Sequence, residues 1–324
     1  MTDMRYRPLG DSGLVVSVVG LGCNNLGRAG TRTADLDGSR EVVDTAIDAG
    51  ITLFDVADIY GAEPGLSEDL LGQTLVGRRD DVLVATKFGM DMAGANGPDW
   101  GARGSRRYIR RAVEASLRRL RTDYIDLYQY HAPDGITPVD ETLAALGELV
   151  DEGKVRYIGS SNFAAWQVVE AEFAARSASV PRFISAQNHY SLLERGPATE
   201  LAPACNAYGV GLLPFFPLAN GLLTGKYRRD EKPSAGTRIG DSKPQLHQDA
   251  DWDLLEALQR YADERGISML DVAIGGLAAQ PAVTSVIAGA TSSEQVKGNA
   301  DAGLWEPSAA DVAALDGVLA AGRD

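Results

Sequence analysis

Eight short apolar runs, rich in β-branched and aromatic residues, recur along the chain, most of them roughly thirty residues apart: Val18–Cys23, Thr52–Ala57, Val82–Thr86, Tyr124–Tyr130, Val155–Gly159, Phe183–Gln187, Val210–Phe216 and Ser285–Ala288. Runs apolar on both faces suit parallel strands covered on each side, and parallel neighbours need a crossover of a dozen or more residues. The intervals supply helices. Ile109, Val113, Leu117 and Leu120 fall at steps of four, four and three, and Leu143, Leu146, Leu149 and Val150 share one face. Asp48-Ala49-Gly50, Asp151-Glu152-Gly153, Ala207-Tyr208-Gly209 and Glu264-Arg265-Gly266 each place glycine where a left-handed helix cap is wanted. Eight such units in series predict an α/β protein, a closed (β/α)8 TIM barrel rather than an open sheet.

Ahead of the first strand, Tyr6–Leu9 and Leu14–Ser17 flank Gly10-Asp11-Ser12-Gly13, which reads as an N-terminal β-hairpin capping the barrel floor. No linker divides the chain, so all 324 residues are expected in a single domain, 1–324. One long stretch, Arg228–Leu246 after strand seven, lacks periodicity and is rich in charge, Pro and Gly. A loop of that length beside a barrel mouth is expected to be functional.

Composition narrows the chemistry. With 31 basic against 45 acidic residues the net charge is −14, which disfavours nucleic acid and anionic membrane surfaces as partners and leaves a small molecule or a protein. Only Cys23 and Cys205 carry thiols, and the polar start Met1–Arg5 lacks the apolar core of a signal peptide, so a cytoplasmic protein without disulfides is expected. No apolar stretch reaches the ~20 residues of a membrane span. Three histidines, His131, His189 and His247, stand at no metal-ligand spacing, so no metal is expected.

Barrel active sites form at the C-terminal tips of the strands. Three consecutive strands carry polar groups there: Asp55 after Thr52-Leu53-Phe54, Lys87 after Val82–Thr86, and His131 after Tyr124–Tyr130, while Tyr60 follows Asp55 in the loop leaving strand two. Lys87 is one of only six lysines. A buried charge left unpaired costs several kcal/mol, so Asp55 and Lys87 are expected to pair. An ammonium beside a phenol favours phenolate, so Lys87 is expected to pull Tyr60 below its ordinary pKa and make it a general acid near neutrality. His131 would orient a carbonyl oxygen. Each residue alone is an ordinary rim feature; four on adjacent tips suit protonating an oxygen while hydride arrives at carbon.

These segments resemble the aldo-keto reductase superfamily. The likeness runs from about Arg5 to Asn299 and rests on Phe54–Gly61 with Ser67–Gly72, on Ala85-Thr86-Lys87, on Tyr124–His131 and on Gly153–Phe163. It implies Tyr60 as proton donor, Lys87 and Asp55 as its activators, His131 as the substrate-orienting group, and an extended nicotinamide cofactor held without a Rossmann domain. By the same resemblance Ser161, Asn162 and Gln187 would hold the carboxamide and Phe215 would stack on the nicotinamide. Phe216, Leu218, Asn220, Gly221 and Lys226 would line the pyrophosphate path, and Gly289, Thr291, Gln295 and Asn299 would grip the adenosine end. The chain departs from the family's usual aromatic-Ser-Pro-Leu, having Phe215-Phe216-Pro217-Leu218, and from its usual cation near the adenosine 2′-phosphate, for which Arg238 in the long loop is the substitute. NADP(H) is the expected cofactor, with NAD(H) the other possibility.

Cys23, Asn24, Phe88 and Trp100 stand by position as substrate-pocket candidates. Gly20-Leu21-Gly22 lacks the third glycine and the ribose acid of a dinucleotide fold. The eight arginines of Arg103–Arg121 read as a solvated helix face, and His189 as an exposed or satisfied side chain. The expected reaction is NADPH-dependent reduction of an aldehyde or ketone. Two alternatives stand beside it: a redox-sensing, cofactor-binding subunit like the β subunits of potassium channels, which the resemblance also covers, and oxidation of an alcohol or sugar. The natural carbonyl and the oligomeric state are not encoded in any motif.

Overall fold

The computed structural model describes residues 3–234 and 236–321. Two short strands, β1 (Tyr6–Pro8) and β2 (Val15–Ser17), pair antiparallel as the N-terminal hairpin. The strands β3 (Val19–Gly22), β4 (Leu53–Asp55), β5 (Leu83–Phe88), β6 (Ile125–Tyr130), β7 (Val155–Ser161), β8 (Phe183–His189), β9 (Gly211–Phe215) and β10 (Val286–Gly289) follow in chain order. They pair in parallel as a closed barrel in the order β10-β3-β4-β5-β6-β7-β8-β9. This is the expected (β/α)8 barrel, with every sequence run contributing one strand.

Helices outside the barrel cover its apolar outer face. Arg106–Leu120 buries Ile109, Val113, Leu117 and Leu120, and Val139–Asp151 buries Leu143, Leu146 and Leu149, the stripes expected from their spacing. Gly50, Gly153, Gly209 and Gly266 all adopt left-handed φ values of 63 to 81° at helix ends. Two further helices stop in the same conformation without glycine, at Arg121 and Ser179. The stretch after β9 is less irregular than its composition suggests: it holds two short helices, Arg238–Ser242 and Gln245–Gln248, and Ile239 anchors it in an apolar cluster.

Inside the barrel the side chains form layers. The floor is apolar: Leu53, Ala85, Leu127, Leu213 and Ile287 meet Leu9, Leu14 and Val16 of the hairpin, which plugs the barrel from below. Successive side chains of a strand point to opposite faces, so positions two residues further on face inward again at the next level. Asp55, Lys87, Gln129, Gln187 and Phe215 occupy that level. Fold and site thus share one alternation, apolar below and polar above. Gly159 on β7 leaves room for it, since a Cβ there would lie 2.2 Å from Ser185 Oγ and 3.3 Å from Gln129 Cγ.

Candidate active site

At the upper level Lys87 and Asp55 are both buried, 0% and 3% exposed. The Lys87 ammonium has three donors and uses them on Asp55 Oδ2 at 2.7 Å, Val56 O at 3.0 Å and Tyr60 Oη at 3.4 Å. The second carboxylate oxygen, Asp55 Oδ1, accepts from Gln187 Nε2 at 2.7 Å and Gln129 Nε2 at 3.2 Å. A buried ion pair repays its desolvation only when the remaining lone pairs are satisfied, and the two glutamines do that here. Burial works against the Lys87 charge, but Asp55 and Tyr60 outweigh it and hold the ammonium above its usual pKa.

The His131 ring lies edge-on to Tyr60 with centroids 5.8 Å apart. Burial, with Lys87 nearby, pushes its pKa down to about 3, so the imidazole is neutral at physiological pH. Its Nδ1 is buried without a partner among the described residues. Tyr60 departs from the sequence expectation: its pKa is raised, not lowered. Burial is the largest cause, and Lys87 only partly offsets it while Asp55 adds to the rise. The sequence reveals the neighbouring cation but not the desolvation. Tyr60 therefore keeps its proton at neutral pH, with the Lys87 ammonium 3.4 Å from its oxygen.

The other candidates fall into three groups around this centre. Ser161, Asn162 and Gln187 lie together at the tips of β7 and β8: Asn162 Nδ2 donates to His131 O at 2.9 Å and to Ser161 Oγ at 3.2 Å, and Asn162 N donates to Gln187 O at 3.0 Å. Asn162 has φ 58°, a left-handed conformation that asparagine tolerates well. The Gln187 amide nitrogen is engaged by Asp55, a contact no motif indicates.

At the end of β9, Phe215 and the next residue Phe216 are half-buried with rings 5.2 Å apart, and His189 stacks on Phe215 at 5.5 Å. Leu218 is also half-buried and leads into the turn Ala219–Thr224, where Asn220 and Gly221 have positive φ; Lys226 is exposed beyond it. Arg238 lies over the Phe216 ring at 5.5 Å.

At the tip of β10, Gln295 Oε1 accepts from Thr291 N at 2.8 Å, and Asn299 Nδ2 donates to Gly289 O at 3.5 Å. This end adjoins the loop after β3, where Asn25 Nδ2 donates to Ala290 O at 3.3 Å.

The four pocket candidates separate. Cys23 and Phe88 have no exposed surface. Phe88 packs tilted against Tyr128 at 4.8 Å and stacks on Tyr130 at 5.1 Å, outside the barrel wall, because it follows the inward-facing Lys87 by one residue. Asn24 is half-buried beside Gly289, and Trp100 is 70% exposed with the Arg107 guanidinium 4.6 Å over its ring.

Sequence reasoning missed Gln129 and Asn96. The signal for Gln129 was available, since it precedes His131 by two residues and shares its inward face. Asn96 Nδ2 donates at 3.1 Å to the fully buried Asp58, tying the loop after β5 to the loop that carries Tyr60. Among the described residues no group of three or more His, Cys, Asp or Glu is placed to hold a metal ion, and no helix is long and apolar enough to cross a membrane.

A closed parallel barrel with an ion pair, a phenol and a neutral imidazole gathered at its strand tips defines a class of barrel oxidoreductase. The aldo/keto reductase family model matches residues 18–320, and the chain belongs to that family. It is 38% identical over 307 residues to an uncharacterized oxidoreductase of Bacillus subtilis, covering 91% of this chain and 89% of the relative. It is 34% identical to the L-glyceraldehyde 3-phosphate reductase of Escherichia coli, covering 93% and 88% of the two chains. It is also 34% identical to a probable voltage-gated potassium channel subunit beta of Arabidopsis thaliana, covering 91% and 90%. The chain is accordingly an oxidoreductase.

Proposed function

We propose that this chain, working as one domain over residues 1–324 in the cytoplasm, reduces an aldehyde or ketone to the alcohol with NADPH. The observation that carries this reading is the three-way engagement of the buried Lys87 ammonium by Asp55, Val56 and Tyr60, next to a neutral His131. A reduced nicotinamide cofactor, when bound, supplies hydride to the carbonyl carbon. Tyr60 donates its phenolic proton to the carbonyl oxygen, and the ammonium takes up the negative charge left on the phenolate. His131, uncharged, orients that oxygen by a hydrogen bond without competing for the proton.

The residues present fit such a cofactor. Ser161, Asn162 and Gln187 would line its carboxamide end and Phe215 would offer a ring face. Phe216, Leu218, Asn220, Gly221 and Lys226 would follow the pyrophosphate, while Gly289, Thr291, Gln295 and Asn299 would take the adenosine. Among the described residues Arg238 Nε is buried with no partner, an open donor suited to a phosphate oxygen.

The raised pKa of Tyr60 suits proton donation near neutral pH, whereas alcohol oxidation, which needs the phenolate as base, is expected to quicken only at higher pH. Tyr60→Phe should fold and bind NADPH normally and lose roughly 10²–10⁴-fold in turnover of 4-nitrobenzaldehyde. Turnover within a few-fold of the parent enzyme removes Tyr60 from the mechanism.

A further inference from the structure

Asp58 stands two residues before Tyr60 and has no exposed surface. Its side-chain partner is Asn96 of the loop after β5, whose Nδ2 donates to Asp58 Oδ2 at 3.1 Å and to Tyr108 Oη, on the Arg106–Leu120 helix, at 3.4 Å. Asn96 is itself buried. The backbone makes a second tie at the same point. Past the end of β4, Val56 N donates to Ala85 O at 2.8 Å and Asp58 N to Lys87 O at 3.2 Å, after which Tyr60 N turns back to Ala57 O at 3.1 Å. The far side of the loop hangs on other segments, through Ala62 N on Gly27 O at 2.9 Å and Ser67 N on Tyr60 O at 3.1 Å. Asp58 is thus where the chain that carries Tyr60 leaves the strand that carries Lys87.

The outer side of these strands is largely apolar: Val56, Val84 and Phe88 belong to one buried cluster with Tyr108 and Ile109 of the covering helix. A polar pair in such a place stabilises a fold no better than well-packed apolar side chains of similar volume. What it adds is direction, since a hydrogen bond is satisfied at one separation and angle and a hydrophobic contact at many. The direction matters here because Tyr60 Oη must keep its 3.4 Å approach to the Lys87 ammonium.

We propose that Asp58 and Asn96 are positioning residues for Tyr60: their hydrogen bond fastens the Tyr60 loop to the loop after β5 and so sets the separation of the phenol from the Lys87 ammonium. This rests on the reading of Tyr60 as proton donor and adds to it two buried residues that act only through that side chain. With the tie cut, the loop keeps its fold but Tyr60 samples positions about an ångström away, a displacement large enough to slow proton transfer by one to two orders of magnitude, roughly 10–100-fold.

The test compares kcat and KM for 4-nitrobenzaldehyde, NADPH binding by fluorescence titration, thermal midpoints, and the pH profile of 4-nitrobenzyl alcohol oxidation with NADP⁺ in the full-length protein. Asn96→Leu should lower kcat about tenfold with the aldehyde KM and NADPH affinity within about twofold of wild type. Its oxidation profile should rise about half a pH unit later or more, because the phenolate lies further from the ammonium. Asp58→Asn keeps an acceptor for Asn96 and should hold kcat within about threefold of wild type. Asp58→Leu combined with Asn96→Leu leaves neither group stranded, so it should fold with a near-normal midpoint and still show the kcat loss and the later rise. Wild-type kcat and an unmoved profile in Asn96→Leu or in the combined variant overturn the proposal. Loss of NADPH binding in step with kcat, or loss of the fold in both, makes the tie structural and overturns it too. Tyr60→Phe separates the two readings: if it is inactive while these variants match wild type, only the positioning role fails, and if it is active the donor role fails and the positioning role with it.

Discussion

Removing one half of the Asp55–Lys87 pair should cost far more than removing both. Asp55→Asn keeps a polar side chain for Gln129 and Gln187 to meet but strips the counter-ion from an ammonium with no solvent exposure. Breaking a buried pair in this way costs about 3–5 kcal/mol, limited by the free energy at which Lys87 releases its proton instead. Lys87→Met strands the Asp55 carboxylate with two amide donors and should cost a similar amount. The double variant Asp55→Asn, Lys87→Met carries no buried charge, and an apolar side chain fills the space of the lysine stem. It should be more stable than either single variant, with a coupling energy of roughly 2 kcal/mol or more. Urea unfolding followed by tryptophan fluorescence and far-UV circular dichroism measures all four proteins. Additive single losses would refute the picture of a pair whose charges stabilise chiefly one another.

Further expectations follow from the same site. His131 is held neutral, with its pKa pushed from 6.5 to about 3, so the unfolded chain binds the extra proton between those values. Stability therefore falls as pH drops through that window, by about 2 kcal/mol at pH 5, and His131→Gln should flatten this part of the profile in urea midpoints taken at pH 7 and pH 5. The Lys87 contribution has the opposite sense, because its folded pKa lies above 10.5: it is fully present below that value and is lost as pH rises through the folded pKa. Gly159→Ala drives a methyl to 2.2 Å from Ser185 Oγ and should cost about 1–3 kcal/mol, part of it recovered in Gly159→Ala with Ser185→Ala; full stability in the single variant would mean the β7–β8 interior is looser than described. Asp58 is fully buried and burial drives its pKa well up, so the neutral Asp58→Asn should stay within about 1 kcal/mol of wild type while Asp58→Leu, which strands Asn96, loses more in the same unfolding assay.

Much of the site was legible because strand period and barrel topology do most of its work. Once Asp55, Lys87 and His131 stand at three consecutive strand tips, closure of the sheet brings them together. The same alternation would have sent Phe88 outward, away from a substrate, had it been applied one residue past Lys87. What stayed hidden depends on approach between distant segments. Gln187 lies 132 positions from Asp55, and nothing local announces that its amide completes the carboxylate's shell. The direction of the Tyr60 shift turns on desolvation, a property of the assembled mouth, and not on the nearest charge. Arg121 and Ser179 end helices in a left-handed conformation usually signalled by glycine, so those boundaries carried no marker.

The central claim is that Tyr60 delivers the proton while a nicotinamide cofactor delivers hydride to the same carbonyl. It is tested most directly by supplying NADPH carrying deuterium at both C4 positions of the nicotinamide with 4-nitrobenzaldehyde and analysing the alcohol by mass spectrometry, for the wild type and Tyr60→Phe. The account predicts one deuterium on the alcohol carbon from the wild type, and almost no alcohol from a Tyr60→Phe protein that binds NADPH as tightly. Alcohol without deuterium, or equal yields from the two proteins, would contradict it.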